Sequence, residues 1–223
     1  MSRERTDLMS QRQSLPRRTA ASRLVVVIRG ERAEDYVPVI DTMVEEGVRS
    51  FELTLTTPGT IAALPGLVER YAETADIGVG TVTRPGDVDA AAEGGAHYLV
   101  TPVSDLAVVD RALQRGIAIV PGGLTPTELF STWDRGVSAV KVFPAGQVGP
   151  GYLKDLRGPF PDLSVIPSGG VDLESARAWL AAGAAAVSVG GPLLGDALKG
   201  GELGALGRRA RRFVEVCAGS GTE

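Results

Sequence analysis

Lysine is scarce in this chain, and one of its three lysines interrupts an apolar run. Of twenty-three basic residues only Lys141, Lys154 and Lys199 are lysines, so arginine supplies most of the positive charge. Lys141 stands at the centre of Ser138-Ala-Val-Lys-Val-Phe-Pro144, a stretch with strand character that ends in proline. Burying an ammonium without a partner is costly, so a lysine there is either paired with a carboxylate or held neutral. A neutral lysine amine is a nucleophile able to form a Schiff base with a ketone. Taken alone, a lysine tilted to a sheet edge explains the same pattern. Glu52 interrupts a second apolar run, Phe51-Glu-Leu-Thr-Leu55, and a carboxylate in reach of such a lysine suits proton transfer.

These residues sit on a repeating pattern of short apolar runs and amphipathic stretches. Strands are predicted at Leu24–Ile28, Ser50–Leu55, Asp76–Gly80, His97–Val100, Ile117–Val120, Ala139–Phe143, Leu163–Ile166 and Ala186–Val189. Helical periodicity follows each of them, reduced to a short piece near Gly151–Leu156 after the sixth strand, and Leu203–Val216 makes the final helix after the eighth. Several helices close on glycine just past the last periodic residue. Eight strands alternating with helices predict parallel pairing and an α/β fold of the (β/α)8 TIM-barrel type. An open doubly wound sheet is the other fold considered, and it requires neither eight units nor such even spacing. Residues 1–22 read as a flexible arm, with a short helix around Asp7–Gln13, and residues 23–223 as one barrel domain.

Composition narrows the function. The chain has 223 residues, 43% apolar and 22% charged, as in ordinary globular domains. A net charge of −4 gives no general attraction to nucleic acid or an anionic membrane. The single Cys217 allows no intrachain disulfide or cysteine metal cluster and fits a reducing, cytoplasmic setting. His97, the one histidine, leaves little for a histidine metal site or a serine triad. No apolar run approaches the ~18 residues of a membrane span, and the polar first twenty-two residues lack a signal-peptide core.

Strand alternation then sorts the polar residues. Val140 and Val142 face the helices, which turns Ala139, Lys141 and Phe143 inward. Phe51, Leu53 and Leu55 face the helices, which turns Glu52, Thr54 and Thr56 inward. The inward set of the first strand, with Val25 and Val27, ends at Arg29. In the third strand Ile77 and Val79 lead to Thr81. The fourth strand ends at Thr101 and the seventh at Ser168. Barrel enzymes place their sites at such carboxyl ends. Each residue has a structural explanation by itself, but together they set a carboxylate, an amine, a guanidinium and several hydroxyls around one cavity. Gly169-Gly170 and Gly190-Gly191 follow strands seven and eight, where backbone N–H groups form the common phosphate cup of barrel enzymes.

Val25-Val-Val-Ile-Arg-Gly30, Phe51-Glu-Leu-Thr-Leu-Thr-Thr57, Gly78-Val-Gly-Thr-Val82, Lys141-Val-Phe-Pro144 and Pro167-Ser-Gly-Gly170 together resemble one known family. It is that of the class I 2-keto-3-deoxy-6-phosphogluconate (KDPG) and 4-hydroxy-2-oxoglutarate (KHG) aldolases, and the resemblance runs from about Arg23 to Leu194. It implies a homotrimeric barrel that cleaves a phosphorylated 2-keto-3-deoxy sugar acid to pyruvate and a phosphorylated aldehyde. The implied chemistry is a covalent Schiff base on lysine, without metal or cofactor. By position, Lys141 would be the Schiff-base lysine and Glu52 the general acid and base. Arg29 would bind the pyruvate carboxylate, and Thr81 would orient the glutamate or substrate. Thr101, Phe143 and Ser168 would adjoin the substrate, with Gly169, Gly170, Gly190 and Gly191 on the phosphate. Two positions depart from the pattern. Some members carry an arginine at the position of Thr56, so this chain looks like the branch with its arginine on the first strand. Known members also have a serine near Gly190-Gly191, where this chain continues with Pro192.

Two other readings use the same fold. A phosphate-binding isomerase or synthase needs the glycine loops but not Lys141, and a non-catalytic scaffold needs neither. The joint presence of Lys141, Glu52 and Arg29 favours the aldolase.

Overall fold

Among the described residues nine ladder segments make up the barrel wall: β1 (Leu24–Ile28), β2 (Ser50–Thr54), β3 (Asp76–Gly80), β4 (Tyr98–Val100), β5 (Ala118–Val120), β6 (Gly122–Gly123), β7 (Val140–Val142), β8 (Val165–Pro167) and β9 (Val187–Val189). The computed structural model describes residues 12–219. β5 and β6 are two halves of one strand parted at Pro121, because proline has no N–H to give to a ladder. The remaining count is eight, as expected.

All pairings are parallel, in the orders β5-β4-β3-β2-β1-β9 and β6-β7-β8. The two ladders join into a barrel at both ends. Ser168 bridges Ser188 beside β8 and β9, and the Lys141 N–H donates to the Pro121 carbonyl over 2.8 Å.

Helices α1 (Arg17–Ser22), α2 (Tyr36–Glu45), α3 (Thr60–Tyr71), α4 (Pro85–Glu93), α5 (Leu106–Gln114), α6 (Pro126–Trp133), α7 (Gly151–Arg157), α8 (Leu173–Ala181), α9 (Gly191–Leu194) and α10 (Leu203–Gly219) accompany the strands. The apolar faces of the strands and the outer helices share a continuous core that includes Tyr36, Phe51, Ile77, Trp179 and Phe213, all fully buried. Each side chain of this size stabilises the fold by about 1.5–3 kcal/mol on burial. A second, smaller cluster fills the barrel itself: Val25, Tyr98, Val100, Val120, Ile166 and three alanines. Local sequence sets where the helices begin. Asp105 accepts from the Ala107 and Val108 amides ahead of α5, and Thr125 and Asp172 form capping boxes ahead of α6 and α8. All three caps close loops at the carboxyl end of the barrel, the end that carries the polar residues.

The segment before β1 differs from a flexible arm over its described part. The Arg12 guanidinium lies 3.5 Å over the Trp133 ring and donates to the Trp133 and Val137 carbonyls. Leu15 packs on the cluster inside the barrel. Thr19 is buried, and its N–H and hydroxyl both donate to Asp76 Oδ2, over 2.7 and 2.9 Å. The segment docks because the amino end of the barrel exposes a buried carboxylate and apolar side chains that need a cover. Of the short helix expected at Asp7–Gln13, residues 7–11 lie outside the described residues, and α1 forms further along.

Candidate active site

The inward alternation places Glu52 and Lys141 on facing parts of the barrel wall. Glu52 is paired in register with Gly78 of β3 and Val27 of β1. Lys141 is paired with Gly122 and Ile166. Lys141 Nζ lies 4.0 Å from Glu52 Oε1, and both side chains are under a tenth exposed. That separation forms an ion pair but is too long for a hydrogen bond. It leaves space for a reacting atom or one water to pass a proton between the two groups.

Room for this pair comes from missing side chains on β3. A Cβ at Gly80 would stand 2.5 Å from Glu52 Cδ, and one at Gly78 would stand 2.6 Å from Tyr98 Cε1. Ile77 and Val79 point to the outer core, so by alternation Thr81 would share their side. Instead the chain turns: Thr81 adopts φ 61°, in the left-handed region, and lines the cavity. A non-glycine residue held there costs about 1–3 kcal/mol and is found where the surroundings enforce it.

Above the pair opens a cavity of about 350 Å³, lined by Arg29, Thr81, Phe143, Ser168 and the loops Gly169-Gly170 and Gly190-Gly191. Arg29 is exposed and forms no hydrogen bond or ion pair among the described residues. Its backbone is fixed from the neighbouring strand. The Thr57 hydroxyl accepts from the Gly30 N–H over 3.0 Å and donates to the Gly30 carbonyl over 3.2 Å, while the Thr54 hydroxyl donates to the Ile28 carbonyl over 3.2 Å. The Phe143 ring stands 5.0 Å from Lys141 Nζ, a distance at which an ammonium is attracted to an aromatic face. That ring also approaches Gly169, where a Cβ would lie 3.0 Å from it. Gly169 and Gly170 both take positive φ, 84° and 78°, so only glycine fits this loop without strain. Neither amide is consumed by the loop's own hydrogen bonds.

Thr101 is the expected site residue that the structure does not bring to the cavity. Its buried hydroxyl donates to the Val103 carbonyl and accepts from the Gly122 N–H over 3.2 Å. It ties β4 to β6, and Pro102 lines the cavity instead. Thr54 and Thr56 likewise spend their hydroxyls on each other and on backbone, 3.1 Å apart. Ser168 is buried at the wall, and its hydroxyl donates to Ser188 Oγ over 3.2 Å.

The family model described as KDPG and KHG aldolase matches residues 16–208 of this chain. The chain belongs to this family. Family members are lyases, and two relatives share the same percentage identity with this chain. The 2-dehydro-3-deoxy-6-phosphogalactonate aldolase of Escherichia coli strain K12 is 34% identical over 171 residues, 76% of this chain and 83% of that protein. The 2-dehydro-3-deoxy-phosphogluconate aldolase of Pseudomonas aeruginosa is 34% identical over 161 residues, 72% of this chain and 73% of that protein. Among solved structures, the KDPG aldolase of Legionella pneumophila with pyruvate captured as a covalent carbinolamine superposes with a TM-score of 0.77 at 26% identity, covering 92% of this chain and 97% of that one.

Three site features of this family member escaped the sequence reading. Ser188 and Tyr98 line a small void of about 10 Å³ beneath the Lys141–Glu52 pair, on the side covered by Leu15 and Thr19. Burial holds the Tyr98 phenol well above its ordinary range, against a lowering hydrogen bond from Ser50, and the charges of Glu52 and Asp76 push the same way as burial. Tyr98 therefore stays a neutral hydroxyl under the site. The third feature is Lys199, which lines the mouth of the cavity. Gly78 was the legible signal for Tyr98, since glycine inside a strand marks a close approach. No comparable signal pointed to Lys199. Among the described residues no helix is long and apolar enough to cross a membrane, and no three His, Cys, Asp or Glu side chains converge as a metal site would require.

Proposed function

We propose that this protein is a class I aldolase that cleaves a phosphorylated 2-keto-3-deoxy sugar acid to pyruvate and an aldehyde such as glyceraldehyde 3-phosphate. The observation that carries the reading is the buried Lys141–Glu52 pair at the floor of a cavity whose rim holds the Arg29 guanidinium, without an ion pair among the described residues. Arg29 binds the substrate carboxylate and sets the C2 ketone over Lys141. The Lys141 amine attacks C2, and the carbinolamine loses water to give a protonated Schiff base. Glu52 takes the C4 hydroxyl proton, directly or through one water. The C3–C4 bond then breaks, its electron pair moves toward the iminium nitrogen as an enamine, and the aldehyde leaves. Glu52 returns the proton to C3, and water hydrolyses the pyruvate Schiff base to free the lysine.

Thr81 and Ser168, on the cavity wall, adjoin the bound substrate in this reading, and Phe143 stands beside the lysine. The amides of Gly169, Gly170, Gly190 and Gly191 hold the phosphate. The reaction needs no metal or other cofactor in this reading, the barrel of residues 23–223 acts as one catalytic unit, and the enzyme is a cytoplasmic homotrimer. An isomerase or synthase would use the glycine loops and leave the Lys141–Glu52 pair without a task. The two relatives, each 34% identical to this chain, act on different sugar-acid epimers by name, so the proposal extends to the substrate class.

Borohydride reduction in the presence of pyruvate, followed by peptide mass mapping, tests the mechanism. The expected result is a covalent adduct at Lys141 together with loss of activity. An adduct confined to Lys154 or Lys199, or none, would remove the Schiff-base reading.

A further inference from the structure

Two of the chain's three lysines line one cavity, Lys141 at its floor and Lys199 at its mouth. Arginine supplies nearly all other positive charge, and several arginines are held in ion pairs on the outer surface, such as Arg70 with Asp41 and Arg135 with Asp110. The Lys199 ammonium, by contrast, makes no hydrogen bond or ion pair among the described residues. A groove on its other side carries Glu31, Glu34 and Asp35. Asp35 is already engaged by Arg32 at 3.2 Å, and none of the three pairs with Lys199.

The turn that presents Lys199 is anchored beside the Gly190-Gly191 loop. The Lys199 and Gly201 amides both donate to the Asp196 carbonyl, over 2.8 and 3.0 Å. Arg209, from α10, donates to the Leu193 and Leu194 carbonyls over 2.6 and 2.8 Å and so fixes the end of α9, from which the turn departs. Leu198 packs against Gly30, next to Arg29. The backbone is therefore held while the lysine stem stays free to swing. Pro192, at the start of α9, offers the loop neither an N–H nor a hydroxyl.

We infer that Lys199 is the side chain that recognises the distal phosphate, supplying at the cavity mouth the charge-assisted contact that Pro192 cannot make. A lysine suits this task as a compact charge on a flexible stem that meets a phosphate without demanding a fixed geometry. Arg29 and Lys199 then divide the two ends of the substrate, with the carboxylate at the first and the phosphate at the second. With Lys141 and Glu52 between them the cavity holds three cations and one carboxylate, a balance that favours a substrate anionic at both ends. This inference rests on the proposed aldolase reaction for its substrate.

The test compares wild type with Lys199→Met and Lys199→Arg on a phosphorylated 2-keto-3-deoxy sugar acid and on its dephosphorylated counterpart. In Lys199→Met the ratio of kcat/KM for the two substrates should fall about 10- to 100-fold, the size expected for a hydrogen bond to a charged group. Lys199→Arg should keep most of the ratio. Because the ammonium is exposed, raising the salt concentration should narrow the wild-type ratio and leave that of Lys199→Met nearly flat. A ratio unchanged in Lys199→Met overturns the inference even if pyruvate is trapped at Lys141. Should trapping fail, the aldolase reading falls and a direct measurement still decides Lys199. In that measurement inorganic phosphate is titrated while the amide resonances of Gly169, Gly170 and Gly190 are followed. Binding at least tenfold weaker in Lys199→Met supports the role, whereas equal binding, or none to the wild type, ends it.

Discussion

The carboxylate of Glu52 occupies the space that a side chain on Gly80 would fill. A Cβ there would stand 2.5 Å from Glu52 Cδ, well inside contact distance. Gly80 has no positive φ, so alanine is acceptable to the backbone, and the nearest atoms it would meet all belong to the Glu52 side chain. Gly80→Ala should therefore push Glu52 away from Lys141 while the barrel stays folded. Displacements of about 1 Å in a reacting constellation cost on the order of 100-fold in rate. The expected outcome is a drop of about that size in kcat/KM with a thermal midpoint within a few degrees of wild type. Unchanged activity would show that the position of Glu52 is not critical.

Removing the charge of Glu52 separates its role from that of Lys141. Glu52→Gln should still give a pyruvate adduct at Lys141 on borohydride reduction, because amine attack does not require the carboxylate to be ionised. Exchange of the pyruvate methyl protons with solvent should slow by about two to four orders of magnitude, the usual range for loss of a general acid-base group. Proton exchange followed by NMR checks this, and exchange at the wild-type rate would take Glu52 out of its assigned role.

Below the site, Thr19 joins the amino-terminal segment to the barrel. Its hydroxyl donates to Asp76 and stands 2.8 Å from Ser50 Oγ, which in turn stands 2.9 Å from the Tyr98 hydroxyl. Thr19→Val leaves buried polar groups without this partner, and each such loss costs about 1–3 kcal/mol. Chemical denaturation should report a loss of that size, against about 0.5 kcal/mol or less for the exposed control Arg17→Ala. Equal stability of the two variants would mean that the Thr19 hydroxyl contributes nothing measurable to the fold.

Much of this architecture was readable from residue order. Period-two runs such as Ser50–Thr54 and glycine-closed helices such as that ending before Gly183 are local signals, because backbone geometry at 3.6 and 2.0 residues per turn acts on neighbours in the chain. The same alternation turned Lys141 and Glu52 to one side of the barrel wall, since each departs from an otherwise apolar run. Tertiary structure decided what alternation could not reach. Thr81 enters the cavity through a left-handed kink against its strand's alternation, and Thr101, just past the end of β4, spends its hydroxyl on Val103 and on Gly122 of β6. The amino-terminal segment, polar and arginine-rich in sequence, docks because Asp76, Ser50 and Trp133 meet it from three separate parts of the chain. Lys199 follows the last strand and carries no periodic signal at all, yet the anchored turn after α9 brings it to the same cavity as Lys141, fifty-eight positions earlier. Local sequence sets the direction of a side chain within its own element, but whether two such directions meet depends on closure of the barrel, which brings distant strands and loops around one space.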